Sequence, residues 1–141
     1  MKYAKITGWG NYVPPVIMTN DDMGKIVDTN DEWIFSRSGI RQRHYAHVST
    51  GKMAWLACER ALAAAAVDAE DIDLIILGST SPEEICPNTA SYIKNELGAK
   101  KAAAFDLNSA CTSWFYGLNV ATDMIRAGSI SKALVVGSER I

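Results

Sequence analysis

Cys111 is the residue whose type and setting best suit chemistry. Its neighbours Ser109, Ala110, Thr112 and Ser113 are all small, which leaves room for a substrate to reach the sulfur. An apolar run from Ala102 to Leu107 precedes it and has the length of a buried strand. Apolar residues then recur at Trp114/Phe115, Leu118, Ala121 and Ile125, the spacing of one helix face. The thiol is therefore expected where a strand ends and a helix begins. N–H groups at a helix start are unpaired and the dipole there is positive, so a thiolate is favoured. Position alone leaves a second reading open, a buried cysteine that packs as a small hydrophobe.

Trp33 and the arginines Arg37, Arg41 and Arg43 form a second candidate group. Guanidinium groups bind phosphate bidentately, and an exposed indole can stack on a base. The same residues also fit a solvated charged face beside a core tryptophan. His44 and His47 stand three apart with no acidic or cysteine partner nearby, a weak metal pattern, and no role is assigned to either. Cys58 lies on a small-residue stripe with Ala54, Ala61 and Ala65 and is expected in the core. Cys86 falls in a loop between Pro82 and Pro87 and reads as a loop thiol. The cysteines have neither Cys-x-x-Cys nor metal-ligand spacing, so reduced thiols and no metal are expected.

The elements that must position these residues follow from periodicity. Tyr3 to Thr7 predicts a first strand. The following Gly8-Trp9-Gly10 lacks the third glycine of a dinucleotide loop, because Val13 stands there. Asn20 is expected to cap a short helix carrying Met23, Ile26 and Val27, and Asn30 a short turn through Trp33. Thr50 to Val67 is alanine-rich and predicts a helix. Leu74 to Leu77 is continuously apolar, as in a parallel strand buried on both faces. A helix with Ala90, Ile93 and Leu97 on one face ends at Gly98. Ala102 to Leu107 is expected as the central strand, and Ala133 to Val136 as another. This alternation predicts an α/β fold with a parallel or mixed sheet flanked by helices. The Cys111 helix would start at the carboxyl edge of the sheet, where ligands of such folds bind.

A chain of 141 residues, 48% hydrophobic with a net charge of −2, fits one globular domain. Without a basic excess, no nucleic-acid partner is expected. No apolar stretch approaches the ~20 residues that span a bilayer, so no membrane is expected. The N-terminus lacks the pattern of a signal peptide, which points to the cytosol.

The segment from Phe105-Asp106 to Cys111, followed by an aromatic-rich helix, resembles the nucleophile turn of the β-ketoacyl-ACP synthase III family in the thiolase superfamily. Further matches run along the chain at Gly8 to Pro14, Asn20 to Val27, Asp28 to Trp33, Arg37 to His44 and Ala133 to Glu139. The resemblance implies that residues 1–141 are the N-terminal half of a thiolase-like fold, with a mixed, mostly parallel sheet, and that the C-terminal half is absent. It implies that Cys111 is acylated from acyl-CoA and then passes the acyl group to malonyl-ACP in a decarboxylative Claisen condensation, in fatty acid or polyketide synthesis. Backbone N–H groups would form the oxyanion hole. A histidine and an asparagine of the second half would stabilise the enolate. Trp33 and Arg37 would hold the adenine and phosphate end of coenzyme A. The position of Cys86 would line the acyl pocket of the neighbouring subunit in a homodimer, where cysteine makes the pocket roomier than the family's larger apolar side chain. Coenzyme A enters as the thioester substrate, with no separate cofactor, and acyl carrier protein is the expected partner.

Asn108-Ser109 before the nucleophile and Thr112-Ser113-Trp114 after it depart from the family, in which many members have small apolar residues before and Ala-Gly-Phe after. Trp114 is bulky, and either shortens or redirects the acyl pocket or packs in the core. The departures leave the chain length and the acceptor open, since some relatives transfer acyl groups to oxygen or nitrogen. The alternatives are a non-condensing acyltransferase relative or a non-catalytic binding half that needs a partner chain. A thiol redox protein is a further class, but Cys111 has no resolving cysteine close in sequence. Residues 1–141 alone are not expected to complete the condensation.

Overall fold

The computed structural model describes residues 3–140, which divide into two units: residues 3–12 with 49–140, and Val13–Val48. The smaller unit is built from β1 (Val16–Thr19), α1 (Asn20–Gly24), α2 (Asp31–Ser38) and β2 (Gln42–Tyr45). Its two strands pair antiparallel, with Val16 opposite Tyr45 and Thr19 opposite Gln42. Neither strand was expected from the sequence, because both are short and largely exposed. Asn20 does not cap α1. Thr19 does, in a reciprocal capping box with Asp22. Buried Asn20 instead donates to Asp31 Oδ1 at 2.7 Å and to the Ile40 carbonyl at 2.8 Å, and it accepts from Arg43 at 2.8 Å. One amide thus joins α1, α2 and the entry to β2. Helix α1 ends at Gly24, so Ile26 and Val27 lie outside it and are exposed.

In the larger unit, α3 (Thr50–Ala65), β3 (Leu74–Gly78), α4 (Thr89–Leu97), β4 (Ala103–Leu107), α5 (Ser113–Ala127) and β5 (Ala133–Gly137) follow in order. The three strands form a parallel sheet in the order β4-β3-β5. The centre is therefore β3; β4, expected there, is an edge and only partly buried. Every residue of β3 is buried, and its side chains alternate between two apolar layers. Ile75 and Leu77 pack with Ala54, Cys58 and Leu62 of α3 and with Ala90 and Ile93 of α4. Leu74 and Ile76 face Ala121, Val120 and Met124 of α5. Burying each of these large side chains is worth about 1.5–3 kcal/mol. Cys58 lies in the core as expected, and burial pushes its thiol up to about 12.

Two expectations fail here for physical reasons. Tyr3 to Thr7 forms no strand; Tyr3, Ile6 and Trp9 are 77%, 71% and 77% exposed. Its alternation is strand-like, but a strand needs a neighbour for its N–H and carbonyl groups. Among the described residues β5 has β3 on one side only, and Gly8 and Gly10 lie against α3 at Ala57 and Ala61 instead. The second failure concerns α5, whose buried residues are Ser113, Gly117 and Ala121, while Trp114 and Phe115 are exposed. A Cβ at Gly117 would stand 2.9 Å from Val135 Cγ1. Small residues let this helix approach the sheet, and the large aromatics are left beside the contact.

The amino ends of the strands are tied by Asp73. Its carboxylate accepts from the N–H groups of Ser131 at 2.9 Å and Lys132 at 3.1 Å, and it pairs with Lys101 at 3.2 Å. The Ser131 bond, with those from Lys132 and Lys101, outweighs the effect of burial and holds the carboxyl below the usual range. A depressed folded-state pKa means that the stabilisation is complete above the unfolded-state carboxylate pKa and is lost as pH falls through the lower folded value. Asp73→Asn is therefore expected to flatten the acid side of a stability-against-pH curve measured by thermal melting. An unchanged acid limb would contradict the assignment.

Candidate active site

Cys111 lies in the turn between β4 and α5, one residue before the helix N-cap Thr112, and is exposed. Ala110 before it is left-handed at φ 49°, a conformation that costs a residue with a Cβ about 1–2 kcal/mol. A set of short polar side chains holds this turn. The Ser109 N–H donates to Ser113 Oγ at 2.8 Å, and that hydroxyl donates to the Ala110 carbonyl at 2.7 Å. The Thr112 hydroxyl donates to the Ser109 carbonyl at 2.7 Å, and the Ala110 N–H donates to Asn108 Oδ1 at 3.2 Å. Asn108, Ser109, Thr112 and Ser113, the positions that depart from the common family pattern, are thus the groups that build the turn. Thr112 spends its hydroxyl on the turn and makes no side-chain cap to α5.

The turn opens on a cavity of about 190 Å³ lined by Gly78, Ala110, Cys111, Ser113, Trp114, Gly137, Ser138 and Glu139. Gly78 and Gly137 stand opposite each other at the carboxyl ends of β3 and β5, and Gly78 stands opposite Leu107 of β4. The thiol therefore sits at the sheet edge where the sequence placed it. A Cβ on Gly78 would lie 2.9 Å from both Ser113 Cβ and the Trp114 nitrogen, so glycine is what lets β3 end directly beneath the start of α5. A larger hollow of about 460 Å³ lies over α4, lined by Ser91, Lys94, Asn95, Gly98 and Lys100, with no cysteine among them.

Two carboxylates near this edge had no role in the sequence reading. Glu139 accepts from the Thr80 N–H at 2.7 Å, the Ser81 hydroxyl at 2.6 Å and the Thr80 hydroxyl at 3.0 Å. Partial burial pushes its carboxyl up, but the hydrogen bonds from Ser81 and Thr80 outweigh that and keep it below the usual range. Asp106, on β4, accepts from the N–H groups of Thr89 at 3.0 Å and Ala90 at 2.7 Å and so anchors the start of α4. Together they fix both ends of the loop that carries Cys86. The signal available for Asp106 was a lone charge inside an apolar strand run. Cys86 is exposed on that loop, and it is not among the residues that line the Cys111 cavity.

In the smaller unit, Trp33 and Arg37 do come together. The Arg37 guanidinium lies 4.5 Å from the centre of the Trp33 ring, which is 54% exposed. The Trp33 N–H is capped by Asn30 Oδ1 at 2.8 Å. The other two arginines serve the fold: Arg41 pairs with Asp31 at 3.1 Å and stacks on Phe35, and Arg43 bonds Asn20. The His44 ring nitrogen Nδ1 donates to the Pro14 carbonyl at 2.6 Å, a structural contact. Among the described residues no group of three His, Cys, Asp or Glu side chains could hold a metal ion.

A cysteine raised on a tight turn at the carboxyl edge of a parallel sheet, with helices on both faces, is a thiolase-like arrangement. The family model for 3-oxoacyl-[acyl-carrier-protein (ACP)] synthase III matches residues 105–141. Similarity extends further. The chain is 49% identical over 139 residues to β-ketoacyl-[acyl-carrier-protein] synthase III 2 of Vibrio cholerae, covering 99% of this chain and 38% of that protein. The crystal structure of 3-oxoacyl-[acyl-carrier-protein] synthase III from Aquifex aeolicus superposes with a TM-score of 0.93 at 41% identity, covering 96% of this chain and 44% of that one. The priming β-ketosynthase of the R1128 polyketide pathway superposes with a TM-score of 0.94 at 33% identity, covering 99% and 42%. In sequence and fold this chain is similar to β-ketoacyl-ACP synthase III proteins, and it spans 38% to 44% of the length of these relatives.

Proposed function

We propose that this chain supplies the acyl-accepting half of an acyl-thioester condensing enzyme of fatty acid or polyketide synthesis. The observation that carries the reading is the exposed Cys111, held on a strand-to-helix turn over its own cavity. The Cys111 sulfur, having given up its proton, attacks the carbonyl carbon of an acyl-CoA. The new C–S bond forms as the donor C–S bond breaks, and coenzyme A leaves as the thiol with a proton. Splitting the transfer into two steps lowers each barrier. In the second step a malonyl thioester on acyl carrier protein loses CO2, and the resulting carbanion takes the acyl group from Cys111, which regains its thiol. The Thr112 and Ser113 N–H groups already donate to the Ser109 and Ala110 carbonyls at 3.2 and 3.0 Å, so the Cys111 N–H is the group in this chain that serves the oxyanion formed in each step. A histidine and an asparagine from outside this chain stabilise the enolate. Residues 1–141 act as one functional half in this reading. The complete protein is a cytosolic homodimer in which Cys86 lines the partner's acyl pocket.

Trp33 and Arg37 bind the nucleotide end of coenzyme A. The half-exposed indole offers a stacking surface, and the arginine beside it offers charge to phosphate. Arg37→Ala in the full-length protein should weaken coenzyme A binding by about 1.5–3 kcal/mol, the worth of a charge-assisted hydrogen bond. Acylation by a short pantetheine thioester, which lacks the nucleotide, should change little. Equal loss with both donors would remove the assignment.

The proposed reaction is tested by incubating the full-length protein with acetyl-CoA and malonyl-ACP and assaying for the ketoacyl product. Formation of that product supports condensation. Acyl transfer to an oxygen or nitrogen acceptor without decarboxylation would replace it with the non-condensing acyltransferase reading. The absence of any transfer would favour a binding half.

A further inference from the structure

We infer that Ser113 is a positioning residue whose hydroxyl aims the Cys111 N–H at the oxyanion; this rests on Cys111 being the acyl acceptor. A trans peptide is planar, and its carbonyl and N–H point in opposite directions. The Ala110 carbonyl and the Cys111 N–H belong to one such peptide, which is trans. Whatever holds that carbonyl therefore sets the direction of that N–H. Ser113 holds it twice, by its hydroxyl at 2.7 Å and by its own N–H at 3.0 Å. The Cys111 N–H points away from both and makes no backbone hydrogen bond among the described residues.

The same hydroxyl also accepts from the Ser109 N–H at 2.8 Å. One oxygen thus ties the peptide before Ser109 to the peptide before Cys111 and keeps Ala110 between them at φ 49°. That conformation is disfavoured for a residue with a Cβ, so it relaxes when the tie is cut. Ser113 is 3% exposed, and water does not readily take the place of its hydroxyl. The other polar side chains of the turn bond elsewhere. The Thr112 hydroxyl reaches the Ser109 carbonyl, and Asn108 receives the Ala110 N–H. Among the described residues, Ser113 is the one whose side chain bonds the peptide that carries the Cys111 N–H.

The test compares two reactions of Cys111 in the full-length protein and in its Ser113→Ala variant. Acetyl-pantetheine transfers its acetyl group to the sulfur through an oxyanion, the donor C–S bond breaks, and pantetheine leaves as the thiol. Iodoacetamide alkylates the same sulfur by displacing iodide, the thiol proton is released, and no oxyanion forms. Mass spectrometry follows the gain of each group on the Cys111 peptide. Ser113→Ala should slow acetylation at least roughly ten-fold, less than the 10²–10³-fold loss of a whole oxyanion donor because the Ser113 N–H still holds the carbonyl. Alkylation of Cys111 should stay within about two-fold, and Cys58, buried in the core, should stay unlabelled. An unchanged acetylation rate would overturn the inference. So would a fall of both rates in the same proportion, or labelling of Cys58, since either makes the hydroxyl a structural group only. If the unsubstituted protein is alkylated at Cys111 but not acetylated there, the acyl-acceptor reading itself fails.

Discussion

Cys111→Ala is expected to lower acyl transfer by the full-length protein by about 10⁴-fold or more, the scale seen when the nucleophile of a covalent mechanism is removed. The loss should leave the fold intact. The Cys111 side chain is exposed, and the turn around it is held by Ser109, Thr112, Ser113 and Asn108, not by the sulfur. Its thermal stability should stay within about 0.5 kcal/mol of the parent, as for most surface substitutions. Calorimetry and the transfer assay together separate a chemical role from a structural one. Cys58 gives the contrast, since its thiol is buried among Ala54, Leu62 and Ile75. A Cys111→Ala protein that kept even a tenth of the parent rate would require another acceptor.

The second large effect belongs to a residue that does no chemistry. Gly78→Ala should destabilise the protein by about 1–3 kcal/mol, the usual cost of overpacking, and should slow Cys111 acylation by at least roughly ten-fold. The added Cβ would sit 2.9 Å from Ser113 Cβ and from the Trp114 backbone nitrogen, so something must move. Strand β3 cannot, because it is fully buried between two strands and two helical layers. The start of α5 yields instead, and Ser113, whose hydroxyl receives the Ser109 N–H, moves with it. Reacting groups displaced by about 1 Å can lose a hundred-fold in rate, so the two losses should appear together. A variant with unchanged melting temperature and acylation rate would show that this close approach does not position the nucleophile.

The parts legible in the sequence were those set by local pattern. Leu74 to Leu77 is a continuous apolar run that suits a strand buried on both faces, and Gly98 ends α4 in the left-handed conformation that glycine favours. Cys111 was placed correctly because a strand run, small residues and a helix period meet there. Long-range context decided the rest. Tyr3 to Thr7 has the composition of a strand, yet its state depends on a neighbouring strand that local pattern does not report. In α5 the large apolar residues marked a face, but Gly117 and Ala121 could approach the sheet closely and took the buried side. Asn20 has the composition of a cap, and its actual partners at Asp31, Ile40 and Arg43 are 11 to 23 positions away in sequence. Glu139 was readable only as part of a resemblance. Its grip on Thr80 and Ser81 spans almost 60 positions and has no local signature.

The central claim is that Cys111 accepts the acyl group. Its most direct measurement is peptide-resolved mass spectrometry of the full-length protein after brief exposure to acetyl-CoA without a carbon acceptor. The predicted result is one acetyl group on the peptide that contains Cys111, absent from the Cys86 and Cys58 peptides and lost in Cys111→Ala. Acetylation at another residue, or none at Cys111 while the protein still turns over acetyl-CoA and malonyl-ACP, would contradict it.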